Sequence, residues 1–268
     1  MGLSSFTTHP SDAVLPLSKK PSPHHAAFGW CSRCHKDHRL EEGHARKYAQ
    51  QLMKELETLK RIDFECIQEL VDPRFSTDYL FGEALGQMFG VLECEDEAGN
   101  IVVLRAFSCQ YNAVWNVEGW VPPVFDVDAY DQIMVPGDRA IKELTRKMET
   151  LSPGAEDFEK FRLQRKRISQ STMKELQALY QLNNFRGESR PLTDFFKNTN
   201  GPPTGAGDCC APKLLQHAAL NNLRPLGIAE FYWGKANRSG TREHGCFYSS
   251  CMDKCVPILG FMLCGAKL

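Results

Sequence analysis

Two β-rich runs around a Gly-Asn turn, two long helical patterns after them, and a closing helix–strand–helix succession predict an α/β fold. A helical insertion and a small N-terminal Cys/His appendage complete it. In chain order, residues 1–27 are rich in Ser, Pro, Thr and His without periodicity and read as a flexible tail. A knuckle-like turn, Trp30-Cys31-Ser32-Arg33-Cys34-His35-Lys36-Asp37-His38, follows. Ala45, Tyr48, Ala49, Leu52, Leu56 and Leu59 then recur at helical spacing between charges, which predicts an amphipathic helix over about 41–60. The hairpin is read from 88–95 (MFGVLECE) and 101–109 (IVVLRAFSC), parted by Asp96-Glu97-Ala98-Gly99-Asn100. Helical patterns occupy about 138–151 and 155–182, with Ser152-Pro153-Gly154 between them. A Gly/Pro loop at 201–207 leads into a helix through about Asn221, whose first turn accommodates Pro212. A strand at 226–233, a loop at 240–248 and an apolar helix at 251–263 close the chain. The domain reading is a tail (1–27), a knuckle with its helix (28–60), and a main domain (61–268) with the insertion at about 126–200.

Composition removes several classes of function. Apolar residues make up 42% and charged residues 24%, so fibrous and disordered chains are excluded. Lys+Arg 32 against Asp+Glu 33 gives no global basic field, so any nucleic-acid site must be local. No apolar run approaches the ~18 residues of a membrane span, and residues 1–23 hold no secretory h-region. A cytoplasmic chain with reduced thiols is therefore expected.

Eleven cysteines are the unusual count. Cys66, Cys94, Cys109 and Cys264 lie in apolar or strand-like runs and read as core thiols. The others cluster. Cys209 opens one helix, and Cys251-x3-Cys255 opens another; residues four apart share a helical face, so both thiolates reach one ion. Helix starts favour the thiolate. Three thiolates with His244 or water as the fourth ligand suit Zn²⁺, the alternative being buried free thiols. Near the N-terminus, Cys31, Cys34, His38 and His44 can complete a second tetrahedron, or else form a reduced turn with surface histidines. Asp208, beside a ligand, and Glu230, in the apolar strand Ile228–Trp233, are the carboxylates available to move protons. Arg162, Lys166 and Arg167 form a run that can hold RNA phosphates or simply face solvent, with Trp115, Trp120 or Trp233 as stacking faces. Lys213, on a first helical turn, can meet an anion there.

The order hairpin, thiol-bearing helix start, strand, two-cysteine helix start resembles the zinc-dependent nucleobase deaminases. Their signatures are His/Cys-Ala-Glu at one helix start and Pro-Cys-x-x-Cys at the next. Cys209-Cys210-Ala211-Pro212-Lys213 is similar to the bacterial-toxin Cys-Ala-Glu-Pro-Lys version, with Cys209 at the ligand position. Ala211 stands where that family has its proton-shuttling Glu, and Cys251/Cys255 are parted by three residues rather than two. The resemblance implies a three-layer αβα sandwich and hydrolytic deamination of a nucleobase.

A second resemblance runs from about residue 60 to 265. Met88-Phe89-Gly90-Val91-Leu92, Val121-Pro122-Pro123-Val124-Phe125-Asp126, Gly205-Ala206-Gly207-Asp208-Cys209 and Ala229-Glu230-Phe231 are among its segments. It is to an uncharacterised bacterial domain, stand-alone or fused to the N-terminus of RluA-type RNA pseudouridine synthases. The synthase's Arg-Leu-Asp setting is missing; Arg39-Leu40-Glu41 is a chance likeness. This resemblance implies a partner among RNAs or RNA-modification enzymes. The sequence thus supports either a deaminase-like zinc hydrolase or a non-catalytic, zinc-stabilised RNA-binding or adaptor domain.

Overall fold

The computed structural model describes residues 25–66, 71–197, 199 and 201–268; the expected tail lies outside them up to residue 24. The chain is mixed α/β and divides into two compact units. The first takes the described residues up to Pro123 with Asn183–Ser189 and Pro203–Leu268; the second takes Val124–Leu182 and Arg190–Pro202. Among the described residues no helix is long and apolar enough to cross a membrane.

The first unit opens with strands β1 (Ala26–Cys31) and β2 (Lys36–Glu41), paired antiparallel around the turn at 32–35. Helix α1 (Ala45–Leu59) follows, and its spacing buries Ala45, Ala49, Leu52, Met53 and Leu56 on one face. Lys60, left-handed at φ +52°, ends it by returning its N–H to Leu56 O at 3.1 Å. Strands β3 (Gln87–Glu95) and β4 (Ile101–Phe107) form the expected hairpin. After helix α4 (Cys210–Leu220), strand β7 (Arg224–Trp233) pairs antiparallel with β3, and the two-residue β8 (Phe247–Tyr248) adds to β7. The sheet order is β4-β3-β7-β8.

Strand alternation sorts the two faces. Phe89, Val91, Ala229, Phe231 and Trp233 pack with the apolar stripe of α1, Tyr111 and Trp120. The opposite face meets α4, which is buried along nearly its whole length. Gly90 makes the approach possible: a Cβ there would lie 2.6 Å from Cys210 Cβ and 3.2 Å from Leu214 Cδ1.

Helix α5 (Val256–Met262) is shorter than the expected 251–263. Residues 251–255 form a turn before it, and Pro257 sits in its first turn. The N-terminal ribbon does not hang free as an appendage. Gly29 in β1 and Gly260 in α5 bring their backbones together, and a Cβ on Gly29 would lie 2.5 Å from Gly260 N.

The second unit holds α2 (Val127–Glu149) and α3 (Glu156–Ala178). Asp126 caps α2, accepting the Ala129 N–H at 2.8 Å, so the helix begins eleven residues earlier than the sequence suggested. Pro136-Gly137, which reads as a breaker, lies inside it. A Cβ on Gly137 would lie 2.5 Å from Thr172 Oγ1, while Arg165 donates to Thr145 Oγ1 at 3.3 Å, so the helices run antiparallel. The short strands β5 (Gln181–Asn183) and β6 (Ser189–Pro191) form a two-stranded sheet of their own.

Candidate metal centre

Cys209 is the N-cap residue of α4, extended at φ −70°, ψ 165°, so its side chain stands clear of the first turn. Cys251 opens the turn before α5 and Cys255 is that helix's N-cap residue. The three Sγ atoms lie within 4.8 Å of one another, with Cys209–Cys251 at 3.9 Å and Cys251–Cys255 at 3.3 Å. Zn–S bonds of about 2.3 Å at tetrahedral angles place sulfurs about 3.8 Å apart, so these thiols fit one ion with little movement. Cys255 is buried, whereas Cys209 and Cys251 are partly exposed. The Cys209 and Cys255 thiols, with the Lys254 and Cys255 N–H groups, hold Cys251 well below the ordinary thiol range. The same coupling and burial push Cys209 and Cys255 up. Thiols at these separations give up their protons when a cation binds them.

Glu230 lies on this side of the sheet. Its neighbours Ala229 and Phe231 belong to the α1 core, so alternation turns Glu230 the other way, and it is only 6% exposed. Its cross-strand partner is Gly90, whose missing side chain leaves room for the carboxyl. Ser250 Oγ donates to Glu230 Oε1 at 2.8 Å. Burial pushes the Glu230 pKa up to about 7, and the neighbouring Cys251 adds to the rise. Asp208, the other candidate carboxylate, is also buried, but its charge is felt by Cys109 and Lys213.

Three expectations need correction here. His244 is not a member of the thiol cluster: its Nδ1 accepts the Gly234 N–H at 3.1 Å and its ring packs on Trp233 at 4.2 Å. The loop after β7 folds back on the strand end and carries the imidazole with it. Lys213 does not meet an external anion. It is buried, its Nζ donates to Phe107 O at 2.8 Å and Cys109 O at 3.4 Å, and it sits 4.3 Å from the Phe107 ring centroid. His44, expected in the N-terminal cluster, is exposed at the start of α1, with Nδ1 3.6 Å from Glu93 Oε1.

The N-terminal cluster nevertheless forms, from Cys31, Cys34, His38 and Cys264. Cys264 was read as a core thiol because it stands in an apolar run more than two hundred residues from its partners. No local spacing rule reaches that far. Cys94 fits the core reading, while Cys66 is half-buried and Cys109 exposed. Ser250 was also missed, although its place beside Cys251 is a usable signal.

On the helical unit, Arg162, Arg165 and Lys166 border a shallow depression of about 420 Å³ with Ile141 and Ser169. Arg162 pairs with Glu159 at 2.7 Å, and Arg167 is exposed. Trp115, Trp120 and Trp233 are all buried, so none offers a stacking face; Trp120 Nε1 donates to Ile62 O at 2.8 Å. Compared with known proteins, the chain matches no protein-family model, no curated protein and no solved structure.

Proposed function

We propose that the chain is a deaminase-like hydrolase in which Cys209, Cys251 and Cys255 hold Zn²⁺ and Glu230 moves protons. The observation that carries this reading is the position of Glu230: a buried carboxyl on the same side of the sheet as three metal-competent thiols. In the deaminases the proton-moving Glu is not a metal ligand, and Glu230 supplies from a strand what Ala211 withholds at the helix start. Zinc at such a site, when bound, supplies an activated water. The chain's own contribution is to bury the carboxyl beside the thiols and hold it on Ser250 Oγ, where burial raises its pKa and suits it to give and take a proton. With His244 elsewhere, the three ligands found among the described residues leave one position open, as catalytic zinc sites require. The succession of hairpin, α4, β7 and α5 supports the resemblance to the αβα deaminase sandwich.

The test is ammonia release by the zinc-loaded chain from cytosine-, adenine- and guanine-containing nucleosides, nucleotides and single-stranded RNA. Glu230→Gln is expected to abolish turnover while the protein keeps its zinc. Full turnover by Glu230→Gln, or none by the native chain on every class, would overturn the reading.

Ala211 favours a second reading, in which the metal is structural and the chain is an RNA-binding or adaptor domain near pseudouridine synthases. The depression bordered by Arg162 and Lys166 is then the RNA contact. Neutralising Arg162, Lys166 and Arg167 together is expected to weaken RNA binding at least tenfold at low salt. Unchanged affinity would remove this alternative.

A further inference from the structure

The cluster at the N-terminal ribbon has features that chance thiol packing does not explain. Its four ligand atoms, from Cys31, Cys34, His38 and Cys264, all lie within 4.8 Å of one another, and Cys34 Sγ is 3.5 Å from Cys264 Sγ. His38 is only 8% exposed, and its buried Nε2 has no hydrogen-bond partner. Native interiors rarely leave such an atom unsatisfied. A cation held by the cluster and bound through Nε2 would satisfy it. Arg186 Nε points at the same place, 3.3 Å from Cys264 Sγ. Three thiolates around one divalent ion leave a net charge of −1, and the guanidinium offsets it.

Arg186 is itself held in position. Asn184 Oδ1 accepts the N–H groups of Arg186 at 2.9 Å and Glu188 at 3.0 Å, closing a turn in which Gly187 adopts φ +77°. Gly265, next to Cys264, leaves room for the side chain: a Cβ there would lie 2.5 Å from Arg186 Cγ. Arg33, within the cysteine turn, pairs with Glu188.

We propose that Cys31, Cys34, His38 and Cys264 form a second, closed Zn²⁺ site that clips the N-terminal ribbon to the segment after α5. Three sulfurs and an imidazole select zinc over Mg²⁺ or Ca²⁺, and four protein ligands leave no position for substrate, so the role is structural. The clip also positions the other cluster. Helix α5 has Cys255 as its N-cap residue and ends two residues before Cys264, so one seven-residue helix is tied to both sites. The Gly29–Gly260 backbone contact presses the ribbon against the middle of that helix. The inference does not rest on the deaminase reading, because it is tested by counting metal.

Native mass spectrometry of the full chain, purified reduced and without chelator, is expected to find two zinc ions. Cys264→Ser and His38→Ala should each lose one, Cys251→Ser should lose the other, and His38→Cys should keep both, since four thiolates hold zinc equally well. A count of one that Cys251→Ser retains and Cys264→Ser loses sustains the clip and removes the open site. A single ion that disappears with Cys251→Ser overturns the clip, as does a Cys34–Cys264 disulfide persisting in reductant. Should the serine and alanine variants fail to fold, the native count decides: two ions sustain the clip and fewer overturn it.

Discussion

Glu230 and Lys213 are opposite charges that the fold buries in different ways. In the chelated protein Glu230 has a pKa of about 7 in place of the ordinary 4.5, so folding takes up a proton between those values. A raised carboxylate pKa contributes stability below about pH 4.5 that is lost as pH rises through 7, on the order of 3 kcal/mol in total. Denaturant titrations of the chelated protein should show this decline from pH 5 to 7.5. Glu230→Gln should flatten it and be the more stable protein at pH 7.5; a variant that keeps the slope would assign the proton to another group. Lys213 fastens its ammonium to two carbonyls at the end of β4 and beyond it. Lys213→Ala strips those carbonyls of their donor and opens a hole, so a loss on the order of 3 kcal/mol is expected by the same titration. No change in RNA affinity should accompany it. Sequence reading placed Lys213 on the first turn of a helix, but only burial decides whether such a lysine looks outward.

Elements with a strong period were legible in the sequence and elements built on long-range contact were not. Helix α1 and the β3–β4 hairpin announce themselves through apolar residues at their characteristic spacings, and β7 and α4 through an apolar run and a proline-bearing helix start. Strand β1 is a six-residue apolar run and β2 is largely charged, with a cysteine turn between them, so no shared period marks them as a ribbon; their backing is Gly260, far along the chain. The cluster at the start of α4 was legible as far as Cys209, Cys251 and Cys255, because cysteines at helix starts are a local pattern. Its membership beyond them depends on how loops fold back, which is why His244 and His44 misled. The α4–β3 contact gives the element-scale test. Gly90→Ala would thrust a methyl group at Cys210 and Leu214 and push back the helix that carries Cys209. Destabilisation of about 1–3 kcal/mol is expected, together with weaker zinc retention in a chelator competition. Retention equal to the native protein's would mean that the cluster tolerates displacement of α4.

At the scale of the molecule, the two thiol clusters able to hold a metal lie at opposite ends of α5, and chelation should act on the first unit as a whole. A thiolate-held zinc that orders its own ligands contributes on the order of 10 kcal/mol. Removing metal should therefore lower the first unit's melting temperature far more than a core edit such as Cys94→Ala, which is expected to cost about 1–2 kcal/mol. Calorimetry with and without chelator measures both; equal shifts would reduce the clusters to packing. The Cys34–Cys264 contact joins positions 230 residues apart. Translation runs at roughly 5–20 residues per second, so a nascent chain displays Cys31, Cys34 and His38 for about 10–50 s before Cys264 exists. Throughout that interval the ribbon holds three ligands of a set of four and has no α5 to seat against. The ribbon, though made well before α5, is thus among the last parts of the protein to mature, and the ligand that completes it reports that the intervening chain has been made.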